Sequence, residues 1–163
     1  MKIFLNKLDK TLRSFLTMYL IILTIGVSLG LYFVSHTTQM TPEGAVERFR
    51  GSAGNTNDEF EIPESYPKPA GEMLTTTHNH VIGFSFIFFT TGLIFYFNTV
   101  IKGFWKKFFL TEPFVSILIT FGSLWLMRYV HPSFIYLTIV SSLIMYLSFY
   151  VMAGASLVSI WKT

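Results

Sequence analysis

The sequence contains no cysteine, and this absence excludes several kinds of chemistry at once. A chain without thiols has no disulfide, no thiolate metal site, no covalently attached c-type haem and no cysteine nucleophile. Charged residues are also scarce, at 13% of the 163 residues, whereas 52% of the residues are hydrophobic and 18% are aromatic. This balance is typical of a protein whose solvent is lipid and not water.

The motifs of most soluble enzymes are absent as well. The sequence has no nucleotide-binding glycine motif, no zinc-protease helix and no nucleophile elbow. Its basic residues form no stripe, so the formal net charge of +3 does not indicate nucleic acid as a partner. No inverted repeat is evident, which argues against an ion-coupled transporter working alone. Catalysis by this chain unaided is therefore not expected.

Four apolar segments are long enough to cross about 30 Å of hydrocarbon, a distance that takes about 20 residues of α-helix. The predicted spans are residues 15–35, 80–101, 108–130 and 133–160. The sequence thus predicts an all-α integral membrane protein, a four-transmembrane-helix bundle that forms a single membrane domain over residues 1–163. An external loop is expected at residues 37–77, between the first two spans.

The basic residues mark one side of the predicted bundle. Eight of the twelve precede the first span, separate the second from the third, or follow the fourth: Lys2, Lys7, Lys10, Arg13, Lys102, Lys106, Lys107 and Lys162. Basic residues in short loops stay in the cytoplasm. We therefore expect a multi-pass protein of the bacterial inner membrane with both termini cytoplasmic. The loop at 37–77 carries seven acids against three bases, as an external loop does.

One stretch of the external loop has the signature of a short helix. Thr41 is a suitable N-cap, Pro42 suits the first helical position, and Glu43 adds an acid to the first turn. The helix is predicted to end near Arg50. The residues that follow, 51–69, are predicted to be irregular.

Small residues indicate where membrane helices pack closely. Gly26 and Gly30 form a small-xxx-small face on the first span, and Ser141, Ser148 and Ala155 follow heptad spacing on the fourth. Close helix packing is the simpler interpretation of both faces. The alternative is that the glycines make room for a flat macrocycle between helices.

Glu112 is an acid near the predicted start of the third span. The order Thr111, Glu112, Pro113 is typical of a helix N-terminus, with threonine as the cap and glutamate at the positive end of the helix dipole. Helix capping is our interpretation of this segment. A role with protons or quinone is the alternative, because a carboxyl group deep in a membrane is costly and usually functional.

All four histidines are predicted at the external face. His36 closes the first span, His78 and His80 open the second, and His131 closes the third. The second and third spans are antiparallel and joined by a short turn, so an imidazole from each is expected to face the other. His78 and His80 point about 200° apart on a helix and cannot serve one metal on one face. Thr77 is predicted to cap this helix.

This arrangement predicts a b-type haem with His80 and His131 as axial ligands. His78 and His36 are the reserve ligands. Arg128, three residues before His131, is expected to neutralise a haem propionate at the aqueous edge.

Two other interpretations of the histidines stay open, and the loop supplies residues for each. Copper or zinc would also bind imidazoles at this face, with Glu72 or Glu47 completing the site. In the other case the histidines bind no cofactor and only contact loops and lipid headgroups. If haem is present, Arg48 or Arg50 is a further candidate for a propionate.

Several short stretches together resemble a family of small four-span bacterial inner-membrane proteins that sometimes carry an elongation-factor label. The stretches are Thr41-Pro42-Glu43-Gly44, Glu47-Arg48-Phe49-Arg50-Gly51, Glu72-Met73-Leu74, Thr76-Thr77-His78-Asn79-His80, Glu112-Pro113-Phe114 and Arg128-Tyr129-Val130-His131-Pro132. The resemblance implies the four-span topology but no activity. Locally, His78-Asn79-His80 is similar to the histidine motifs of haem-bearing respiratory subunits.

The function predicted from these features is electron transfer. The chain is expected to be a b-type haem-binding or haem-adjacent subunit of a bacterial respiratory complex that relays electrons between quinone and an external redox partner. One alternative is a non-catalytic accessory or assembly subunit, held among other membrane subunits by the Gly26 and Gly30 face and docking a periplasmic partner through its external loop. The second alternative is a copper- or zinc-binding membrane protein.

Overall fold

The computed structural model describes residues 4–52 and 65–162, and within these residues all regular structure is helical. The helices are α1 (Lys10–Thr38), α2 (Pro42–Arg50), α3 (Ala70–Tyr96), α4 (Gly103–Tyr129) and α5 (Phe134–Trp161), and a 3-10 turn at Leu5–Lys7 precedes them. In length and apolar composition α1, α3, α4 and α5 suit a membrane crossing. The prediction of an all-α, four-span membrane protein is confirmed.

Successive spanning helices run in opposite directions. The indole of Trp161 at the end of α5 donates to Thr17 Oγ1 near the start of α1 at 3.0 Å, and Ser28 and Tyr150 join the same two helices farther along. Helices α3 and α4 are likewise antiparallel, since Trp125 Nε1 donates to Thr77 Oγ1 at 2.8 Å. Both ends of the described chain therefore lie on one side of the bundle and α2 lies on the other, which we call the α2 side.

Helices α3, α4 and α5 form the core of the bundle, and α1 lies at its edge. The buried cluster is mostly aromatic and methionine side chains: Phe88, Phe95, Ile117, Phe121, Met145, Phe149 and Met152. Within its span α1 buries only Leu20 and Val27. Membrane helices associate through close contact and interhelical hydrogen bonds, so α1 is the helix held least tightly.

Two predicted helix starts are wrong. Helix α3 begins at Ala70, ten residues before the predicted span, so Thr77 lies within the helix and does not cap it. Helix α4 begins at Gly103, so Thr111 and Glu112 also lie within a helix. Thr111 Oγ1 donates to the carbonyl of Lys107 and caps nothing. A proline at position 113 is tolerated there because it removes only one helical hydrogen bond, which neighbouring groups in a membrane bundle can replace.

A buried asparagine forms the turn between α3 and α4. Asn98 Oδ1 accepts hydrogen bonds from the backbone N–H groups of Val100 (2.9 Å) and Ile101 (2.7 Å), and Asn98 Nδ2 donates to the carbonyl of Phe95. These bonds end α3 at Tyr96, five residues before the predicted end of the span. They also explain why α4 starts early, since the chain reverses here and not at Thr111.

Helix α2 forms where the sequence predicts a short helix, and it is fixed across the end of the bundle. The Thr41 side chain accepts from Gly44 N at 3.0 Å, which confirms the predicted N-cap. The guanidinium of Arg48 stacks over the ring of Phe33 on α1, and Arg50 Nη1 donates to the carbonyl of Met127 at the end of α4. We call residues 39–52 and 65–69 the α2 cap.

Candidate functional site

The imidazole of His80 is held by its own helix and by α4. Its Nδ1 lies 2.8 Å from the carbonyl oxygen of Thr76, one turn earlier in α3. Its ring packs against Phe84, with centroids 6.0 Å apart, and against Phe121 of α4, with centroids 5.5 Å apart. Nε2 has no hydrogen-bond partner in the described part of the chain, and the side chain is exposed on the bundle surface.

His131 lies at a different depth from His80. The His80 ring is level with Phe121, and α4 continues for eight residues beyond Phe121 to Tyr129, a rise of about 12 Å. His131 follows the helix end, where its Nδ1 accepts from Ser133 N at 3.2 Å. The end of α4, which His131 follows, thus lies about two helical turns beyond the level of Phe121. The structure does not bring them together as a pair across one iron, and haem ligation by these residues stays a prediction.

The reserve histidines lie apart from this pair. His78 and His36 are both exposed, on α3 and in the last turn of α1. Over residues 4–52 and 65–162, no group of three or more His, Asp or Glu side chains comes close enough to hold a metal ion. Copper and zinc binding therefore also stays a prediction.

The arginines assigned to haem propionates make structural contacts here. Arg128 Nε donates to the carbonyl of Lys68 at 3.1 Å, and its guanidinium stacks on Tyr129. Arg48 and Arg50 hold α2, and burial against the bundle lowers the pKa of Arg48 from its ordinary value. Arg48 and Arg50 therefore attach α2 to the bundle, and Arg128 joins the end of α4 to Lys68 of the α2 cap.

The Gly26 and Gly30 face does not pack against another helix. A Cβ added to either glycine would meet nothing within 4 Å. Close packing at this face is therefore not made within the described chain, and packing against another membrane subunit stays a prediction. Both glycines line an apolar groove of about 320 Å³ between α1 and the core, whose other walls include Phe84 and Tyr146.

Glu112 is the residue that sequence reasoning placed wrongly. It is the tenth of the 27 residues of α4, and Ser148, the fifteenth of the 28 residues of α5, donates to its Oε2 at 2.6 Å. Ser116, one turn on in α4, donates to Oε1. The carboxyl group therefore lies well inside the span, about a third of the way along α4 and opposite the midpoint of α5. The signal that could have located it is the serine spacing on the fourth span, because Ser148 is a buried polar group that needs a partner.

A series of hydroxyl pairs continues along the same interface towards the α2 side. Thr120 of α4 bonds to Ser141 of α5 at 2.7 Å, and Ser123 bonds to Thr138 at 2.7 Å, all four being buried. Interhelical hydroxyl bonds of this kind join membrane helices. The burial of Ser141 and Ser148 confirms that the heptad face of the fourth span is a packing face.

Comparison with known proteins identifies the family but no activity. No curated protein and no solved structure matches the chain. A family model described as a transmembrane helical domain matches residues 39–163, which is 125 of the 163 residues and includes α2 to α5. This is a multi-pass membrane protein, and it belongs to the Aq_1264_TM family of transmembrane helical domains.

Proposed function

We propose that this protein is a non-catalytic accessory or assembly subunit of a larger membrane complex, and that the α2 cap docks a partner protein. The observation that carries the proposal is a helix held rigidly without a core of its own. Helix α2 buries none of its residues, yet Arg48, Arg50 and the backbone bond from Lys68 N to Phe49 O fix it to the bundle. A surface that is already ordered loses little entropy on binding.

The α2 cap offers an acidic groove to that partner. The groove has a volume of about 540 Å³ and lies between α2 and the start of α5, lined by residues that include Glu43, Glu47, Ser52, Ser133 and Tyr136. The one ion pair in the described residues is Lys68 with Glu72, so Glu43 and Glu47 are uncompensated. By charge complementarity the occupant is a basic segment of the partner protein.

Reversing the two groove charges is expected to release the partner. We expect a photoreactive phenylalanine analogue at Tyr136 to cross-link one protein in native membranes, and the double variant Glu43→Lys, Glu47→Lys to remove that product because it repels a basic segment. Glu72→Lys changes charge outside the groove and should retain it. An analogue at the exposed Tyr32 of α1 serves as the positional control. A cross-link that survives the double variant, or a lone protein without one, contradicts the proposal.

The orientation of this subunit follows from the sequence. We place the α2 side outside the bacterial inner membrane and both termini in the cytoplasm, because the acidic residues cluster in the loop and the lysines and arginines near the opposite ends of the helices. The partner is then periplasmic, or a membrane subunit with a periplasmic extension.

A second candidate function, binding of b-type haem between quinone and an external redox partner, is favoured by one observation. His80 Nδ1 contacts a backbone carbonyl and Nε2 stays free among the described residues, as in many metal-ligating histidines, whose second nitrogen is held in this way. Phe84 and Phe121 hold the ring in place.

An absorption spectrum tests this second candidate. After expression with ample haem, the oxidised and reduced forms of the purified protein should differ in the Soret region, and His80→Ala should abolish the band. His78→Ala is the matched control on the same helix and should leave the band unchanged. A protein without a Soret band is not a haem subunit, and elemental analysis of the same sample tests for copper and zinc.

A further inference from the structure

Glu112 lies well inside a spanning helix, where a charge is costly. It is about 14 Å along α4 from Gly103, and it contacts the midpoint of α5. A charged side chain at the centre of a bilayer is rare, faces the bundle interior, and usually marks an ion or proton site. Glu112 is partly buried and turned towards α5, as this rule requires.

No cation neutralises this carboxyl group in the part of the chain that the structure describes. Helix α5 contains no Asp, Glu, Lys, Arg or His, and the tyrosines it contributes nearby are Tyr146, which lines the groove beside α1, and Tyr150, which bonds to Ser28. The charged or titratable groups of α3 and α4 are Glu72, His78, His80, Tyr96, Lys106, Lys107, Arg128 and Tyr129. None of them contacts Glu112, and Lys106 Nζ instead bonds to the carbonyl of Asn98.

We propose that Glu112 is a proton-binding site inside the membrane-spanning part of the bundle and that it exchanges its proton with the α2 side. Both carboxyl oxygens have a serine hydroxyl as partner, Ser116 at one and Ser148 at the other. With a proton bound, the group is neutral and fully hydrogen-bonded in hydrocarbon. Without it, the two serine hydroxyls stabilise the carboxylate until a proton returns.

The direction of exchange follows from the asymmetry of the α4–α5 interface. From Glu112 towards the α2 side, the pairs Thr120 with Ser141 and Ser123 with Thr138 place hydroxyls at successive turns. Thr138 is one turn inside the start of α5, where the acidic groove opens at Ile135.

Towards the other side, the buried hydroxyls do not form such a series of pairs. The core there continues through Met152, Ala153 and Phe95, with Phe109 packed against it. The buried hydroxyls of Thr91 and Ser156 have no hydrogen-bond partner among the described residues, and Ser159 pairs with Thr99 only at the turn between α3 and α4. Hydroxyl pairs between α4 and α5 therefore continue from the carboxyl group towards the α2 side only.

A hydrophobic carbodiimide tests this proposal directly. Dicyclohexylcarbodiimide reacts with a protonated carboxyl group, whose O–H adds across one C=N bond to give an O-acylisourea. This adduct rearranges to a stable N-acylurea, so the whole reagent mass is retained and no co-reactant is needed. The protein is reconstituted in phospholipid vesicles sorted for one orientation, and the adduct is located by mass spectrometry. We expect one adduct, on the α4 peptide that contains Glu112.

Separate control of the pH on the two sides tests the direction. The labelling rate should fall as the pH on the α2 side rises, and it should not respond to the pH on the other side. Glu112→Gln, which keeps a hydrogen-bonding side chain of the same shape, should abolish the adduct. Glu72→Gln removes an acid from the α2 side and should leave it unchanged.

Three results would overturn the inference. Absence of an adduct on wild-type Glu112 at every pH would mean that the group is not protonated in the membrane. A rate that follows the pH of the other side would reverse the direction of exchange. Protection by sodium ions at constant pH would assign the site to a hard cation, which also prefers oxygen ligands. The wild-type measurements do not depend on how any variant folds.

Discussion

Replacing Gly44 by alanine is expected to detach α2 from the end of α1 and to lower the free energy of unfolding by about 1–3 kcal/mol. An added Cβ would overlap the carbonyl oxygen of Thr38 and lie 3.0 Å from Thr41 Oγ1. Both neighbours are fixed, because Thr41 N bonds to the same carbonyl and the Thr41 side chain caps α2. Thermal unfolding of the purified protein, followed by tryptophan fluorescence, measures the loss.

Gly71→Ala is the matched control for this substitution. Gly71 lies in the first turn of α3, and a Cβ added there meets nothing within 4 Å. Alanine has a higher helix propensity than glycine, so this variant should be as stable as the wild type or slightly more stable. Equal midpoints for the two variants would show that the approach of α2 to Thr38 does not contribute to stability. Trypsin offers a second readout, since cleavage after Arg48 and Arg50 should accelerate only in Gly44→Ala.

Replacing Asn98 by alanine is expected to lower the free energy of unfolding by about 1–3 kcal/mol. The substitution removes the acceptor for the N–H groups of Val100 and Ile101 and the donor to the carbonyl of Phe95. At the end of two membrane helices, few waters replace these bonds, so the polar groups stay unpaired. The chemical denaturation midpoint in detergent is the measurement.

Asn79→Ala supplies the control, because it makes the same chemical change at an exposed position of α3 where the side chain has no hydrogen bond among the described residues. Its midpoint should equal or exceed that of the wild type, since alanine favours the helix. If Asn98→Ala unfolds at the same point as Asn79→Ala, then Asn98 does not determine where α3 ends.

The four spans were predictable because the membrane imposes them, whereas two helix starts were not. A segment that crosses hydrocarbon must be apolar over its whole length, and this requirement shows in the sequence of any one helix. A helix start depends on competing local bonds. Thr111 has the right sequence for a cap, but Asn98 accepts the hydrogen bonds of the α3–α4 turn thirteen residues upstream.

The same boundary errors explain why the candidate site was incompletely predicted. With α3 starting near Thr77, His80 belongs to the first turn and is level with His131. Starting at Ala70, α3 carries His80 in its third turn, where it packs on Phe121 below the end of α4. A shift of seven residues along a helix is about 10 Å of depth, which is enough to separate two ligands of one iron. The predicted start at Thr111 likewise placed Glu112 at the edge of the membrane, whereas the structure places it nine residues inside α4 and opposite the midpoint of α5.

The glycine pattern did not identify a partner helix within this chain, for a different reason. Small residues show that a helix can approach another closely, but they do not say which helix is there. Ser148 of α5 faces Glu112 of α4 and donates a hydrogen bond to it, so these two helices are in contact there. Gly26 faces a groove, because α1 is joined to the core mainly at Thr17, Tyr19 and Ser28.

The peripheral attachment of α1 also bears on how the family is defined. The matched region starts at residue 39, directly after α1, and extends over the helices that bury one another. The helices that form the core of the bundle, α3 to α5, thus lie within the matched region, and the weakly buried α1 lies outside it. The matched region is then a three-span unit with its surface helix, and α1, which lies at the edge, is the spanning helix whose replacement should disturb the interior least.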